Sequence, residues 1–428
     1  MRSPWRVSAS LLILLASVPA AAPATLAAVA SPLPPATPES QGMSSERLGR
    51  LHAELERFVT EGKHAGVISL IARNGRIVDW QAWGKRDLEA GLPMEKDTIC
   101  RIYSMSKIVT SVAALILLEE ARFGLDDPVG NYLPELARMK VMTGGTVDVP
   151  LLADAKTAIT IEHLFTHTSG LTYGFRDSPV ETLYKEAKLS EAQSLTEFVR
   201  RVSRLPLVHE PGERFTYSVS TDILGALVEK VSGQPFARFL EERLFRPLGM
   251  KDTGFSVAEA KQARLAKIYE KAKDGRLKPA KPGFGIEPGP GPKLESGGAG
   301  LFSTTADYAL FMQMLLDGGR LDGKRILSRK TVELMMADHL GSIERPSQRA
   351  LPWGKSIGFG LGGGVRLDLA TANALGSVGQ FGWAGAATTY ATLDPKEKLV
   401  SLLFVQHFPA DETIFWSFST LGYAAIVD

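Results

Sequence analysis

The 428-residue chain holds one cysteine, Cys100, so no internal disulfide can form and core packing alone must hold the fold. Cys100 stands four residues before Ser104, yet an isolated thiol entering an apolar run reads as a small buried hydrophobe. There is no charge excess either: 49 basic and 47 acidic residues leave a formal charge of +2. Without a basic run the chain has no electrostatic footprint for nucleic acid, and none is expected as a partner. No apolar run is long enough to stay across a bilayer, and no internal repeat is visible. Hydrophobic residues make up 44% and charged residues 22%, a globular composition that excludes a disordered chain.

The first 30 residues stand apart. Arg2 and Arg6 precede Leu11-Leu12-Ile13-Leu14-Leu15, and Ala-rich sequence runs on to Ala28-Val29-Ala30. That is the charged start, short apolar core and small-residue cleavage site of a secretory signal. A cleaved, exported product in the periplasm or the medium is expected. The region carries two arginines and no acid, so its removal leaves 47 basic and 47 acidic residues. No cysteine lies near the cleavage region, so no stable membrane anchor is expected.

The most informative stretch is Arg101-Ile102-Tyr103-Ser104-Met105-Ser106-Lys107, followed by a nearly unbroken apolar run to Leu118. It predicts a helix buried on most sides, with Gly124 as a C-terminal stop. Ser104 would open that helix. Lys107, three residues on, shares its face, whereas Ser106 does not face Lys107. A serine hydroxyl attacks poorly unless a nearby base takes its proton, and a partly desolvated lysine is a candidate base. The free N–H groups of a helix N-terminus also suit a developing oxyanion. Two fixed residues in four recur by chance about once in a chain of this length, so Ser-x-x-Lys alone decides nothing.

In chain order, Ser31 to Pro38 is a Pro/Ala linker, and Ser44 or Ser45 caps a helix to about Glu61 with Leu48, Leu51, Leu55 and Phe58 inward. Ala65–Arg73 and Ile77–Trp83 flank Asn74-Gly75, a hairpin signal. Asp126-Asp127-Pro128 is a turn, and Thr160 caps a short helix carrying His163 at four residues from His167. That is metal-ligand spacing, but no Glu follows His163 and nothing nearby completes a shell, so no metal or other cofactor is expected. Helices are predicted over 181–202, from Ser220 to Lys230, over 236–248, 307–316 and 328–336, and from Asp411 to Val427. Lys278 to Gly300, dense in Pro and Gly, reads as a surface loop. Strands are predicted over 357–367, 374–381, 386–393 and 399–404.

Strands at both ends with helices between them imply an α+β fold, with one antiparallel sheet built from both termini, flanked by helices. The expected division is a signal over 1–30, a discontinuous α/β domain from 31–95 and 296–428, and an inserted mainly helical domain over 96–295. Two motifs fail on context. Gly354-x-Ser356-x-Gly358 imitates a nucleophile elbow, but no strand-to-helix turn surrounds it. Gly358-x-Gly360-x-x-Gly363 imitates a dinucleotide fingerprint but opens no helix, so close backbone approach is the better reading.

Four further segments complete a set with Ser104-x-x-Lys107: His167-Thr168-Ser169-Gly170-Leu171, Tyr217-Ser218-Val219, Gly297-Gly298-Ala299-Gly300-Leu301 and Trp383-Ala384-Gly385. In this order and spacing the chain resembles the class C β-lactamase-like serine hydrolases, and most of all the family VIII carboxylesterases. The resemblance implies a penicillin-binding-protein-like fold. It also implies Ser104 as the acylated nucleophile and Lys107 as its partner, with Tyr217 sharing acid and base duty. Ser104 and Ala386 would supply the oxyanion-hole N–H groups. Trp383, Gly385, Val219 and Tyr173 would meet the substrate. Two departures carry information. Val219 replaces the amide of the Tyr-x-Asn box, and Trp383 replaces the lysine that attracts a β-lactam carboxylate. A neutral, apolar site binds an uncharged ester better than an anion. The small-molecule partner expected is therefore a neutral carboxylic ester. A β-lactamase or D,D-peptidase, and a non-catalytic binding protein, stand as alternatives.

Overall fold

The structure, a computed structural model, describes Met1 and residues 31–283, 294–343, 351, 355–372 and 374–428. The body of the expected signal sequence, residues 284–293 of the 278–300 loop, Trp353 and Gly354 lie outside the described residues. Eight antiparallel strands form the main sheet: β1 Gly66–Arg73, β2 Arg76–Asp87, β3 Leu92–Pro93, β4 Ile357–Phe359, β5 Gly364–Arg366, β6 Phe381–Gly385, β7 Thr389–Asp394 and β8 Leu399–Val405. Their order across the sheet is β4-β5-β6-β7-β8-β1-β2-β3. The two chain ends meet where β1 pairs with β8, in register from Val67 opposite Val405 to Arg73 opposite Leu399.

Helix α1 (Ser45–Thr60) is capped by Ser44, which accepts from the Arg47 N–H, and buries Leu48, Leu51, Leu55 and Phe58 as its 3.6-residue spacing requires. Among the described residues the other α-helices are α2 Ser106–Glu119, α3 Ile161–Phe165, α4 Pro179–Glu186, α5 Leu195–Val202, α6 Ser220–Ser232, α7 Phe236–Leu240, α8 Arg246–Leu248, α9 Thr305–Leu316, α10 Arg329–Met335 and α11 Glu412–Ala424. Paired residues of antiparallel strands share a face, so the register sorts the helices into layers. Tyr390, opposite Leu403, packs its ring on Phe415 and Phe418 of α11. Phe404, the next residue on β8, faces the other way and meets Tyr308 of α9. Covered on both sides, β1 is buried at all eight positions, which explains its near-continuous apolar sequence.

Between β3 and α9 the chain makes its long helical excursion. It departs through Cys100–Arg101 and returns through Phe302–Ser303, and these two short strands pair with each other, Cys100 opposite Ser303. Helices α2 and α6 pack together inside the excursion and both contribute to its core.

Several expectations need correction. The predicted helix over 181–202 is two helices, because Lys188 turns left-handed at φ 46° and Ser194 caps α5 afresh. The residues from 374 to 380 are a loop wrapped around Arg366, whose guanidinium donates to the carbonyls of Ala374 and Leu375; β6 begins only at Phe381. The 357–367 segment is a hairpin of two short strands. Helix α2 ends at Glu119, and Ala121 at φ 53° takes the left-handed turn assigned to Gly124. Ser104 lies in a 3-10 turn, Tyr103–Met105, and α2 itself starts at Ser106.

Candidate active site

Ser104 is half-buried at the mouth of α2, and the residue before it adopts a left-handed conformation, Tyr103 at φ 44°. A bulky residue pays for that conformation, and it persists only where the surroundings over-determine it. Tyr103 is wholly buried in a small cluster with Ile99 and Phe302, beside the ladder that closes the excursion. Lys107, one turn on, is fully buried. Its Nζ reaches Ser104 Oγ at 3.3 Å, the Tyr173 hydroxyl at 3.0 Å and the Gly298 carbonyl at 2.7 Å.

One face of α2 therefore grips the turn at 297–301. Thr110 Oγ1 donates to the Gly297 carbonyl at 2.7 Å, and Ser106 Oγ accepts from the Leu301 N–H at 3.1 Å. From the other side the buried carboxylate of Asp222 on α6 accepts from Ser296 Oγ at 2.5 Å and from the Gly298 N–H at 3.1 Å. Burial raises the Asp222 carboxyl, while Lys107, Ser296 and the Gly298 N–H work against that rise. The end of the Pro/Gly-rich segment is thus a buried part of the site and not the surface loop expected. Its glycines are needed because a Cβ on Gly298 would meet Asp222 Oδ2 at 2.6 Å and the Tyr173 hydroxyl at 2.7 Å.

Tyr217 stands three residues before Ser220, the first residue of α6. Its ring lies beneath Lys107, with Nζ 4.7 Å from the ring centroid, and its oxygen accepts from Trp383 Nε1 at 3.0 Å. His167, left-handed at φ 56°, packs its ring 4.7 Å from that of Tyr217, and its Nδ1 accepts from the Ser218 N–H. Burial, helped by the nearby Lys107 charge, pushes this imidazole well below its ordinary range, so it is neutral. The hydroxyls of Ser169, Ser220 and Ser218 form a chain at 2.7 and 2.8 Å. The His167–Leu171 segment is therefore the brace that seats Tyr217. His163, four residues away, is turned to its own helix, its Nδ1 accepting from the Thr160 N–H. Among the described residues no group of three His, Cys, Asp or Glu could hold a metal ion.

Strand β6 supplies the remaining wall. At its end Gly385 lies against the Ile102 carbonyl, closer than any Cβ would allow, and Ala386, the next residue, packs against the cluster that holds Tyr103. Hydroxyl, amine, two phenols and a strand end thus converge from four separate parts of the chain. That convergence has a family. The beta-lactamase family profile matches residues 51–415.

The chain belongs to the beta-lactamase family. It is 34% identical over 281 residues to esterase EstB of Burkholderia gladioli, covering 60% of this chain and 67% of that protein. It is 30% identical over 368 residues to the lovastatin esterase of Penicillium rubens, covering 81% of this chain and 90% of the relative. Among solved structures, EstCE1, described as a hydrolase with promiscuous acyltransferase activity, superposes with a TM-score of 0.74 at 25% identity, over 88% of this chain and 98% of its own. The chain is a serine hydrolase of the beta-lactamase-like superfamily.

Within that family the two departures take physical form. Trp383, 1% exposed, fills its position with a neutral indole packed edge-on to Phe359 at 5.2 Å and tilted against Tyr217 at 5.6 Å. Val219 is buried and lines a cavity together with Tyr173 and Asp222. Tyr173 is more than the pocket wall that sequence suggested, since its hydroxyl touches Lys107. Burial, and then the negative charge of Asp222, push this phenol well above its ordinary range, so it keeps its proton. Asp222 and Ser296 were not read as site residues from the sequence, and the 297–301 motif was read without the Gly298 carbonyl's hold on Lys107. The one available signal was an acid in the first turn of an otherwise apolar helix.

The decoys resolve as well. Ser356 is buried, donating to the Asp368 carbonyl and accepting from the Asp368 N–H at 2.5 Å, which closes the edge hairpin. Gly360 and its neighbours let the chain run against the end of α10, where the Leu361 N–H donates to the Met335 carbonyl. Cys100 is sealed in its strand, and burial pushes the thiol up to about 12, which removes it from nucleophilic chemistry.

Proposed function

We propose that this protein cleaves small neutral carboxylic esters through an acyl-enzyme on Ser104. The observation that carries the reading is the 3.3 Å approach of a fully buried Lys107 amine to the Ser104 hydroxyl at a half-buried, substrate-accessible position. Ser104 Oγ forms a bond to the ester carbonyl carbon, and its proton passes to the Lys107–Tyr217 pair. The carbonyl oxygen becomes an oxyanion facing the N–H groups of Ser104 and Ala386. The intermediate collapses by breaking the bond to the alcohol oxygen, which leaves with the proton returned through Tyr217. Water then repeats the sequence on the acyl-serine, releasing the carboxylic acid and the free hydroxyl. The indole N–H of Trp383 donates to the Tyr217 oxygen, leaving the phenol proton free for the leaving group.

The preference for a neutral ester is supported by Trp383, which offers no positive charge for a substrate carboxylate, and by the esterase names of two relatives. An alcohol in place of water would turn the same intermediate toward acyl transfer, the activity named for the EstCE1 neighbour. The deciding experiment is a panel of esters, amides and β-lactams run on the wild type and on Ser104→Ala. Ester turnover that depends on Ser104, with slow or absent lactam turnover, is expected. Wild-type ester rates in Ser104→Ala sink the reading. Residues 1–30 belong to the proposal as a cleaved export signal. Mass spectrometry of the N-terminus of protein recovered outside the cytoplasm tests this, and an intact Met1 there rejects it.

A further inference from the structure

Lys107 sits in surroundings suited to a cation. An ammonium has three hydrogens to donate and no lone pair, and three acceptors meet it: Ser104 Oγ at 3.3 Å, the Tyr173 oxygen at 3.0 Å and the Gly298 carbonyl at 2.7 Å. Two aromatic faces flank it, with Nζ 4.7 Å from the ring centroid of Tyr217 and 5.2 Å from that of Tyr173. Yet the amine is fully buried, and among the described residues no carboxylate pairs with it directly. A buried charge without a counter-charge is costly. The counter-charge stands one residue away. Gly298 is gripped from both ends, its N–H donating to Asp222 Oδ1 at 3.1 Å and its carbonyl accepting from Lys107. Burial disfavours charge on Asp222, and Lys107 is foremost among the groups that restore it. Lys185 and Lys188 line the cavity that Asp222 also faces, but each has a carboxylate of its own, Asp177 at 3.9 Å and Glu191 at 3.8 Å. The other buried groups nearby, Tyr173, Tyr184 and His167, are uncharged, because burial raises both phenols and lowers the imidazole.

Resting on the serine-hydrolase reading above, we infer that Asp222 is the counter-charge of Lys107, a positioning residue that keeps the amine an ammonium aimed at Ser104. Lys107 then serves Ser104 as a fixed positive charge and hydrogen-bond donor, and not as a free amine. The bonds from Ser296 Oγ and the Gly298 N–H both fall on Oδ1 of the carboxylate. An amide at position 222 can keep both on its own oxygen while losing the charge. The electrostatic role of Asp222 is therefore separable from its bracing of the turn.

The test is the pH profile of kcat/KM for p-nitrophenyl butyrate in the wild type, Asp222→Asn and Ser296→Ala. Asp222→Asn is expected to bring the alkaline limb down by about one to two pH units, the scale on which a unit charge acts across one residue. Ser296→Ala takes a bond from the same oxygen but leaves the charge, so its limb should stay where the wild type has it. An unmoved limb in Asp222→Asn, or an equal shift in Ser296→Ala, reduces Asp222 to a brace and overturns the inference. So does an asparagine variant that gains rate at neutral pH, since the lysine would then be working as a free amine. If the asparagine variant does not fold, ¹⁵N NMR of the wild-type lysine side chains decides. The signal that disappears in Lys107→Met should be that of an ammonium at neutral pH, and a free-amine signal there overturns the inference. Ser104-dependent ester turnover leaves the hydrolase reading intact in each of these cases, and its absence from the wild type overturns both.

Discussion

Lys107 Nζ is closer to the carbonyl of Gly298, at 2.7 Å, than to the hydroxyl of Ser104, at 3.3 Å. The amine is thus held by a turn distant in sequence, and the hydroxyl comes to an amine already in place. Displacing that carbonyl should cost rate more than affinity. Gly298→Ala puts a methyl against Asp222 and Tyr173 and is expected to lower kcat by about 10- to 100-fold, the scale on which sub-ångström misplacement of a reacting group acts. KM should change by less than about threefold, since the turn binds Lys107 and not the substrate. Steady-state kinetics beside a thermal melt measure both, and an unchanged kcat removes the turn from the argument.

The two tyrosines on Lys107 can be separated. Tyr217→Phe removes the hydroxyl assigned to proton transfer and should reduce kcat by about 10²- to 10⁴-fold. Tyr173→Phe removes only one acceptor from the amine, which at about 0.5–1.5 kcal/mol amounts to roughly a two- to twelvefold loss. The reverse order of severity would transfer the acid–base role to Tyr173.

Trp383→Phe keeps an aromatic ring against Phe359 and deletes the N–H that donates to the Tyr217 oxygen. The expected loss in kcat/KM for a short ester is about two- to twelvefold, with the pH optimum as the more telling readout. A variant with wild-type activity at every pH would show that the indole only fills space.

Stability should depend on pH through His407, which sits edge-on to His64 at 4.9 Å. Burial, and then the adjoining His64, depress its imidazole from 6.5 to about 4. An unfolded chain therefore takes up a proton below pH 6.5 that the folded chain refuses until about pH 4. Stability is full above 6.5, falls as the pH drops through that window and levels off below it. The effect is worth up to about 3 kcal/mol, less whatever water screens. His167, buried and depressed in the same direction, adds to the slope. Urea melts between pH 7.5 and 4 should show the loss, and His407→Gln should flatten part of it. An identical slope in the variant would clear His407 of any part.

What could be read from the chain was what local chemistry encodes. Ser104 and Lys107 are three residues apart, and the spacing alone places them on one face. The capped helix at Ser44 and the Asn74-Gly75 hairpin are equally local, and both are present in the structure. Tyr217 and Trp383 came only through the resemblance, because the contact joining them spans 166 residues. The Lys107–Gly298 bond spans 191, and no periodicity announces such a pairing. The loop misread as strand at 374–381 failed for a related reason. Its conformation answers to Arg366, a buried cation whose need for carbonyl partners outweighs the local apolar pattern.

The paired strands at Cys100 and Ser303 have a final consequence. Ser104 follows one of them by three residues and Gly298 precedes the other by four, so hydroxyl and steadying carbonyl are both measured from a single clasp. Everything in between hangs from that clasp like a pendant. A change of length inside the excursion leaves the span from clasp to Ser104 and from clasp to Gly298 as it was, whereas Tyr173, Tyr217 and Asp222, which lie within the excursion, are placed by its own packing.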